Sequence, residues 1–498
     1  MPGLDAFGAL SAAEKKLLEG FPIGDDVDLR AKPTDAPALP DASDDDTRIR
    51  AELIAWAMRG GDAQYPLHER GIRISGAWIE GALDLQGHHS GRDLRLGHCC
   101  FPDRVILRNA NLGAVSLSGS RLDRGLFAEG MKTRSDVFLR NGFHAMGPVR
   151  LLGAEIGGNL SCTAGRFVAE EAEAALHADR IGIGGHVLLN DGCSVRGSVR
   201  LLSARIGGDL NCTGGRFAAP EAVALNLEKA RIEGTIFMRG EMGLTGMLRL
   251  TGATVSRIND DPTCWPEAEQ LRLDNCRYGA FSGNAAQCTA TMRLQWLARQ
   301  DYDDFRPQPY EQLAIVFREM GHREDAREVL FVKEKLLRAD RRSAANGAWR
   351  LWLGFRDWGF ELVAGFGLRP FRVLRTLVVL SLLAALVFWQ VWEAGQMAPD
   401  TPVILNSPEW KAVQEMERPN IAWANGYPGR HYETFNALAY GADVVIPILD
   451  LGQEAAWAPA TTGPWGTVGW VASWVFQILG WVVSAVLLAS INSLIRPE

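Results

Sequence analysis

Residues 147–167, GPVRLLGAEIGGNLSCTAGRF, recur fifty residues later as GSVRLLSARIGGDLNCTGGRF at 197–217, with fifteen of 21 positions identical. A looser copy, GMLRLTGATV, begins at Gly246. Each such unit has an apolar edge that only a neighbouring unit can cover, so the copies predict a stacked solenoid. From Gly71 to Arg277, short segments alternate Leu or Ile with Arg, Asp or Asn, and small residues separate them. Alternation turns the aliphatic side chains inward and the polar ones outward. Ala, Gly and Cys between the segments allow tight corners. The expected fold over 71–280 is therefore a regular or distorted parallel β-helix, and residues 289–345 switch to a helical period.

Two later segments change the class of the protein. Residues 374–392, LRTLVVLSLLAALVFWQVW, hold one charge at their edge, and 468–495 hold none. Each reaches the length of about 20 apolar residues that a bilayer core demands. The expectation is a two-span α-helical membrane region behind a large soluble front half. Between Arg318 and Arg375 there are 13 Lys and Arg against 8 Asp and Glu, whereas the loop 393–467 has 3 against 9. Positive-inside asymmetry then puts the β-helix and both termini in the cytoplasm, with the loop outside. The first residues, MPGLDAFGALSAAEKK, contain no apolar run, so no secretory signal is expected. Eight cysteines without zinc-finger spacing read as reduced, buried thiols.

The ends of a solenoid need covers. Ser11-Ala-Ala-Glu14 is a capping box opening a short helix, and 31–46, rich in Pro, Ala and Asp, reads as a linker. A helix over 47–59 would place Ile49, Leu53, Trp56 and Ala57 on one face, so 1–60 is the N-terminal cap. At the other end YEQLAIVFREMGHREDAREVLFVKEKLLR predicts a helical hairpin broken at Gly321-His322, similar to one tetratricopeptide unit. Residues 349–373 mix aromatic and basic side chains, which favours the bilayer interface. Trp349, Trp352, Trp358, Arg369, Arg372 and Arg375 are the expected anchors.

Candidate chemistry centres on the loop. In HYETFNALAYGADVVIPILDLGQEAAWAP, residues 431–459, an apolar stretch is interrupted by Asp443, Pro447 and Asp450. A re-entrant or surface-lying helix near 433–451 fits, with Pro447 breaking it. Acids at membrane depth are costly and often functional, so Asp443, Asp450 and Tyr440 form the candidate loop site; both Asp can equally face water or cap helix ends. On the repeat domain, Arg150, Arg200 and Arg249 hold matched positions and would stack into a column able to contact anionic groups or a partner. Most such columns are solvated faces with acids interleaved. His88-His89 and His98-Cys99-Cys100 offer too few ligands on one face for a metal site. Cys162 and Cys212 read as interior ladder positions. Gly182-Ile-Gly184-Gly185 precedes a strand rather than a helix and lacks a dinucleotide-binding context. No catalytic residue, cofactor or metal ligand is expected. Net charge of −7 gives no reason to bind nucleic acid, and a repeat domain of net +4 (22 basic, 18 acidic from Arg73 to Arg257) cannot imitate DNA.

Asn109-Ala-Asn-Leu112 resembles the A-(D/N)-L-x-x unit of pentapeptide-repeat proteins, which implies a right-handed β-helix with a degenerate five-residue beat. The chain as a whole resembles a bacterial family labelled membrane-associated oxidoreductase or pentapeptide-repeat membrane protein. LSAAEKKLLEGFP, the VRLLxAxIGGxLxCTxGRF repeats, YEQLAIVFREMGHREDAREV, GFGLRPFRVL, FNALAYGADVVIPILDLGQEAAWAP and ILGWVVSAVLLASINSLIRPE carry the likeness over nearly the whole length. The resemblance implies an inner-membrane location; no cofactor motif accompanies the oxidoreductase label. The functional expectation is a membrane-anchored scaffold or sensor that binds a partner or ligand at the cytoplasmic face, its partners being the lipid bilayer and a protein or a second copy. The alternative is an oligomeric pore or transport module, and the third reading is an oxidoreductase.

Overall fold

Four very short strands and four corners make one turn of the front half of the chain. In the turn that starts at Val115 the strands are Val115–Ser116, Arg121–Leu122, Leu126–Phe127 and Lys132–Thr133. Each pairs in parallel with its equivalents in the turns before and after, as Val115 does with Leu94 and Val137. The molecule is a computed structural model that describes residues 4–30, 40, 44–169, 174–283, 288–300, 305–364 and 370–495, with the side chains of 362–364, 370 and 490–495 set aside. It divides into two compact units, Met1–Val329 and Leu330–Glu498.

The first unit is a parallel β-solenoid. One interior column runs Ile72, Leu94, Val115, Val137, Leu160, Val187, Leu210, Ile236 and Ile258, nine rungs deep. Every member is fully shielded from solvent. Each such side chain contributes about 1.5–3 kcal/mol by leaving water. Leu160 to Val187 takes 27 residues and Val187 to Leu210 takes 23, so the fifty-residue sequence period is two turns.

The corner after the fourth strand explains the IGG of the repeats. A Cβ on Gly184 would lie 2.4 Å from the Gly157 carbonyl oxygen, and one on Gly207 would lie 2.5 Å from that of Gly184. Successive backbones touch there, and only glycine fits. Beside this corner, each polar side chain caps the next turn. Asp136 accepts the Asn159 amide at 2.6 Å, Asn159 that of His186 at 2.7 Å, His186 that of Asp209 at 2.9 Å, and Asp209 that of Thr235 at 2.7 Å. Cys162 and Cys212 are fully buried, flanking Leu189 one turn from each. Burial pushes the Cys193 thiol up to about 12, and raises Cys162 and Cys212 as well.

At the first edge the capping box is present: the Ser11 side chain accepts from the Glu14 amide, and Glu14 accepts from the Ser11 amide. Glu14 also holds Arg50 at 2.6 Å. Residues Arg48–Arg50 form a strand that pairs with Trp78–Glu80, and the helix starts only at Ala51. Ile49 thereby extends an interior column by pairing with Ile79, a gain that outweighs one more helical turn. Of the expected linker over 31–46, residues 31–39 and 41–43 lie outside the described residues. At the last edge, helix Gln308–Glu319 covers the final turn, and Gln312 donates to the Tyr278 carbonyl at 2.9 Å. Beneath it Arg293 and Asp260 form a buried ion pair at 2.8 Å, with Trp265 Nε1 donating to Asp260 at 2.7 Å. The hairpin break falls where expected, at Gly321 with φ +86°, where the left-handed backbone favours glycine.

The second unit is helical. Helix Gly347–Ala364 is followed by Pro370–Glu393 and, after the loop, Pro464–Ile495. Phe371–Glu393 and Pro464–Ala489 are long and apolar enough to cross a membrane, and only 28% and 17% of their apolar windows are buried within the protein.

Candidate functional site

The loop between the apolar helices is a folded cap. Its ends are tied by an antiparallel ribbon, Met397–Pro399 with Trp457–Pro459. Short helices open with proline at 402, 408 and 419, where the missing amide costs nothing. Trp392, Trp410, Trp423, Tyr432, Phe435 and Trp457 pack into one aromatic cluster, with Trp392 stacked on Phe435 at 4.5 Å.

Helix Ala437–Val445 lies within this cap and is started by Asn436, whose side chain accepts from the Leu438 and Ala439 amides at 3.0 and 3.2 Å. It stops before Pro447, as the sequence suggests. Its middle and its C-terminal end touch the long helices through glycine. A Cβ on Gly441 would meet the Ser381 carbonyl oxygen at 2.5 Å, and one on Gly480 would meet that of Val445 at 1.9 Å. The long helices approach each other at Gly469 and Val391, where a Cβ would lie 2.9 Å from Val391 Cγ2. From that level, Ser381 and Gly480 are each roughly 15 Å further along their helices. The loop helix therefore packs about halfway down both.

A polar network follows the helix. The Asp443 carboxylate is buried and accepts three backbone amides: Leu451 at 2.8 Å, Gln453 at 2.9 Å and Glu454 at 3.0 Å. It is the peg that winds 451–454 back against the helix, a charge-assisted arrangement. Gln453 accepts the Asn436 amide at 2.9 Å and donates to Glu433 at 3.0 Å. Glu454 receives a hydrogen bond from Gln477 of the second long helix. Burial, and then the neighbouring Asp443 charge, raise the Glu454 carboxyl above its ordinary value.

The expected loop residues thus separate. Asp443 is held by backbone amides, whereas Asp450 is exposed and accepts the Gly452 amide at 3.1 Å. Tyr440 is buried between Phe388 and Phe435, with ring centroids at 4.6 and 5.7 Å. The pair that meets across the loop, Glu454 and Gln477, escaped the sequence reading. One signal was available: Gln477 is the sole Gln, Asn or charged residue between Pro464 and Ala489.

On the solenoid, Arg150, Arg200 and Arg249 do share one outward column, with His177 and Asn226 on the rungs between. Each faces an acid of the preceding turn: Glu129 at 2.8 Å, Asp179 at 2.5 Å and Glu228 at 3.9 Å. Among the interface anchors, Trp349, Trp352 and Trp358 are exposed, Arg372 lies over the Phe331 ring at 5.6 Å, and Arg375 is exposed. Arg369 lies outside the described residues. Cys99 and Cys100 are buried. Among the described residues no three His, Cys, Asp or Glu side chains converge as metal ligands.

No family model, curated protein or solved structure matches this chain.

Proposed function

We propose that the protein is a membrane-anchored β-solenoid scaffold that presents its outer faces to a partner on the cytoplasmic side of the inner membrane. The supporting observation is the division of surfaces. The solenoid interior is filled with aliphatic, aromatic and thiol side chains, which leaves recognition to outward columns aligned by parallel pairing. Rigid parallel faces of this kind suit extended recognition. The two apolar helices supply the anchor, and the Lys and Arg excess before the first of them sets the orientation. A photo-crosslinking residue placed in vivo at outward positions, Thr254 on one face and Arg200 on another, tests this. One face yielding a discrete adduct supports the scaffold, and adducts from neither face count against it.

The Glu454–Gln477 contact favours a second reading, a transport module, because an acid beside an apolar helix commonly marks an ion or proton path. In planar bilayers, conductance that disappears with Glu454→Gln would support it. The oxidoreductase reading rests on the resemblance alone, and thiols with raised pKa supply little of the reactive thiolate.

A further inference from the structure

A pocket of about 450 Å³ opens in the second unit between the end of helix Arg323–Ser343 and the start of helix Gly347–Ala364. Four arginines line it, Arg338, Arg341, Arg342 and Arg356, with one carboxylate, Asp357. Asp357 is buried and takes Arg356 at 2.8 Å and Arg342 at 3.8 Å. Glu334 reaches Arg338 at 3.5 Å from outside the pocket. Counting both acids, two positive charges remain in excess. Guanidinium groups in such number match the oxygens of a phosphate, which they bind bidentately.

The neighbouring surface says where that phosphate resides. Leu351, Trp352, Phe355 and Trp358 on the same helix are 78%, 50%, 72% and 60% exposed. Trp349, which lines the pocket, stacks on Trp352 at 4.7 Å. An exposed aromatic face flanked by arginines is the build of a helix lying in the bilayer interface, its apolar side at the acyl boundary and its charges at headgroup level. From these we infer that the pocket binds the phosphate of an anionic lipid headgroup. The inference rests on the membrane-anchored reading above and gives it a lipid preference.

The test uses the full-length protein in detergent, examined by native mass spectrometry with dioleoyl phosphatidylglycerol, dioleoyl phosphatidylcholine or inorganic phosphate. The expected result is several-fold greater retention of phosphatidylglycerol than phosphatidylcholine, lost in the Arg341→Gln/Arg356→Gln variant. Asp357→Asn removes the one carboxylate that lines the pocket and should raise retention, a direction that misfolding would not produce. A phosphate adduct without lipid preference would keep the anion site but assign it a soluble ligand. Equal retention of both lipids with no phosphate adduct, or unchanged retention in the double variant, would overturn the inference. Carbonate extraction of the same variants reads the anchor separately: a protein that stays in the membrane yet shows no lipid preference defeats only the pocket.

Discussion

The Arg200 guanidinium lies 2.5 Å from the Asp179 carboxylate, which sits one turn earlier on the same face of the solenoid. The sequence period carries both members of this pair, since Arg150–Glu129 and Arg249–Glu228 repeat it. The arginine column is thus balanced by an acid column, and its first role is to join adjacent turns.

That pairing has a pH signature. Burial pulls the Asp179 carboxyl upward, but bonds from Arg200 and His177 outweigh it, so the group titrates below its ordinary value of 3.8. The pair therefore stabilises the fold at neutral pH, and its contribution is lost as pH falls beneath 3.8 through the folded value. Melting of the full chain in detergent should show Asp179→Asn less stable than wild type at neutral pH, with the gap closing in acid. A gap that stays constant with pH would contradict the assignment.

The glycine corners give a sharper contrast. Gly207→Ala drives a methyl to 2.5 Å from the Gly184 carbonyl oxygen and should cost about 1–3 kcal/mol. Gly182→Ala, in the neighbouring turn, meets nothing within 4 Å and should be neutral. Urea midpoints of the two variants check this, and equal shifts would mean that the corners are not in contact.

At the closed end of the solenoid, Arg293 is 3.7 Å from the Phe281 ring centroid and pairs with Asp260, both groups being almost wholly buried. Removing one partner strands the other charge, so Arg293→Met should destabilise by about 3–5 kcal/mol. The double variant Arg293→Met/Asp260→Leu should recover much of that loss. Additive losses in a double-mutant cycle would argue against a coupled pair.

The loop helix depends on close packing at Gly441. A Cβ there would lie 2.6 Å from the Ala385 nitrogen, so Gly441→Val should dislodge the helix and expose 446–452 to limited proteolysis. Gly354→Ala, with open space around it, is the control. Resistance to cleavage in Gly441→Val would show that the helix does not pack as described.

Much of this architecture is legible in the sequence. The alternation in VRLL, the IGG corners and the matched cysteines report local geometry and an interior side, and all three survive in the structure. The length of one turn does not, because the five-residue beat is degenerate and the strongest similarity skips every second turn. Without the turn length, nothing aligns Glu129 with Arg150 or Asp179 with Arg200. Glu454 and Gln477 are 23 residues apart, and Asp260 and Arg293 are 33 apart, so both contacts exist only once the chain has folded back. Periodicity carries no information on such partners. Asp443 stood out as an acid in an apolar run, but only its three amide donors disclose that it works as a structural peg.

The proposed topology, with the solenoid and the aromatic loop on opposite sides of a membrane crossed twice, can be read by cysteine accessibility. All eight native cysteines are buried, so background labelling is low. Glu409→Cys in the loop and Thr254→Cys on the solenoid each introduce one exposed thiol. A membrane-impermeant maleimide applied to intact cells should label Glu409→Cys at once and Thr254→Cys only after permeabilisation. Labelling of both sites in intact cells, or protection of both until permeabilisation, would rule out this topology.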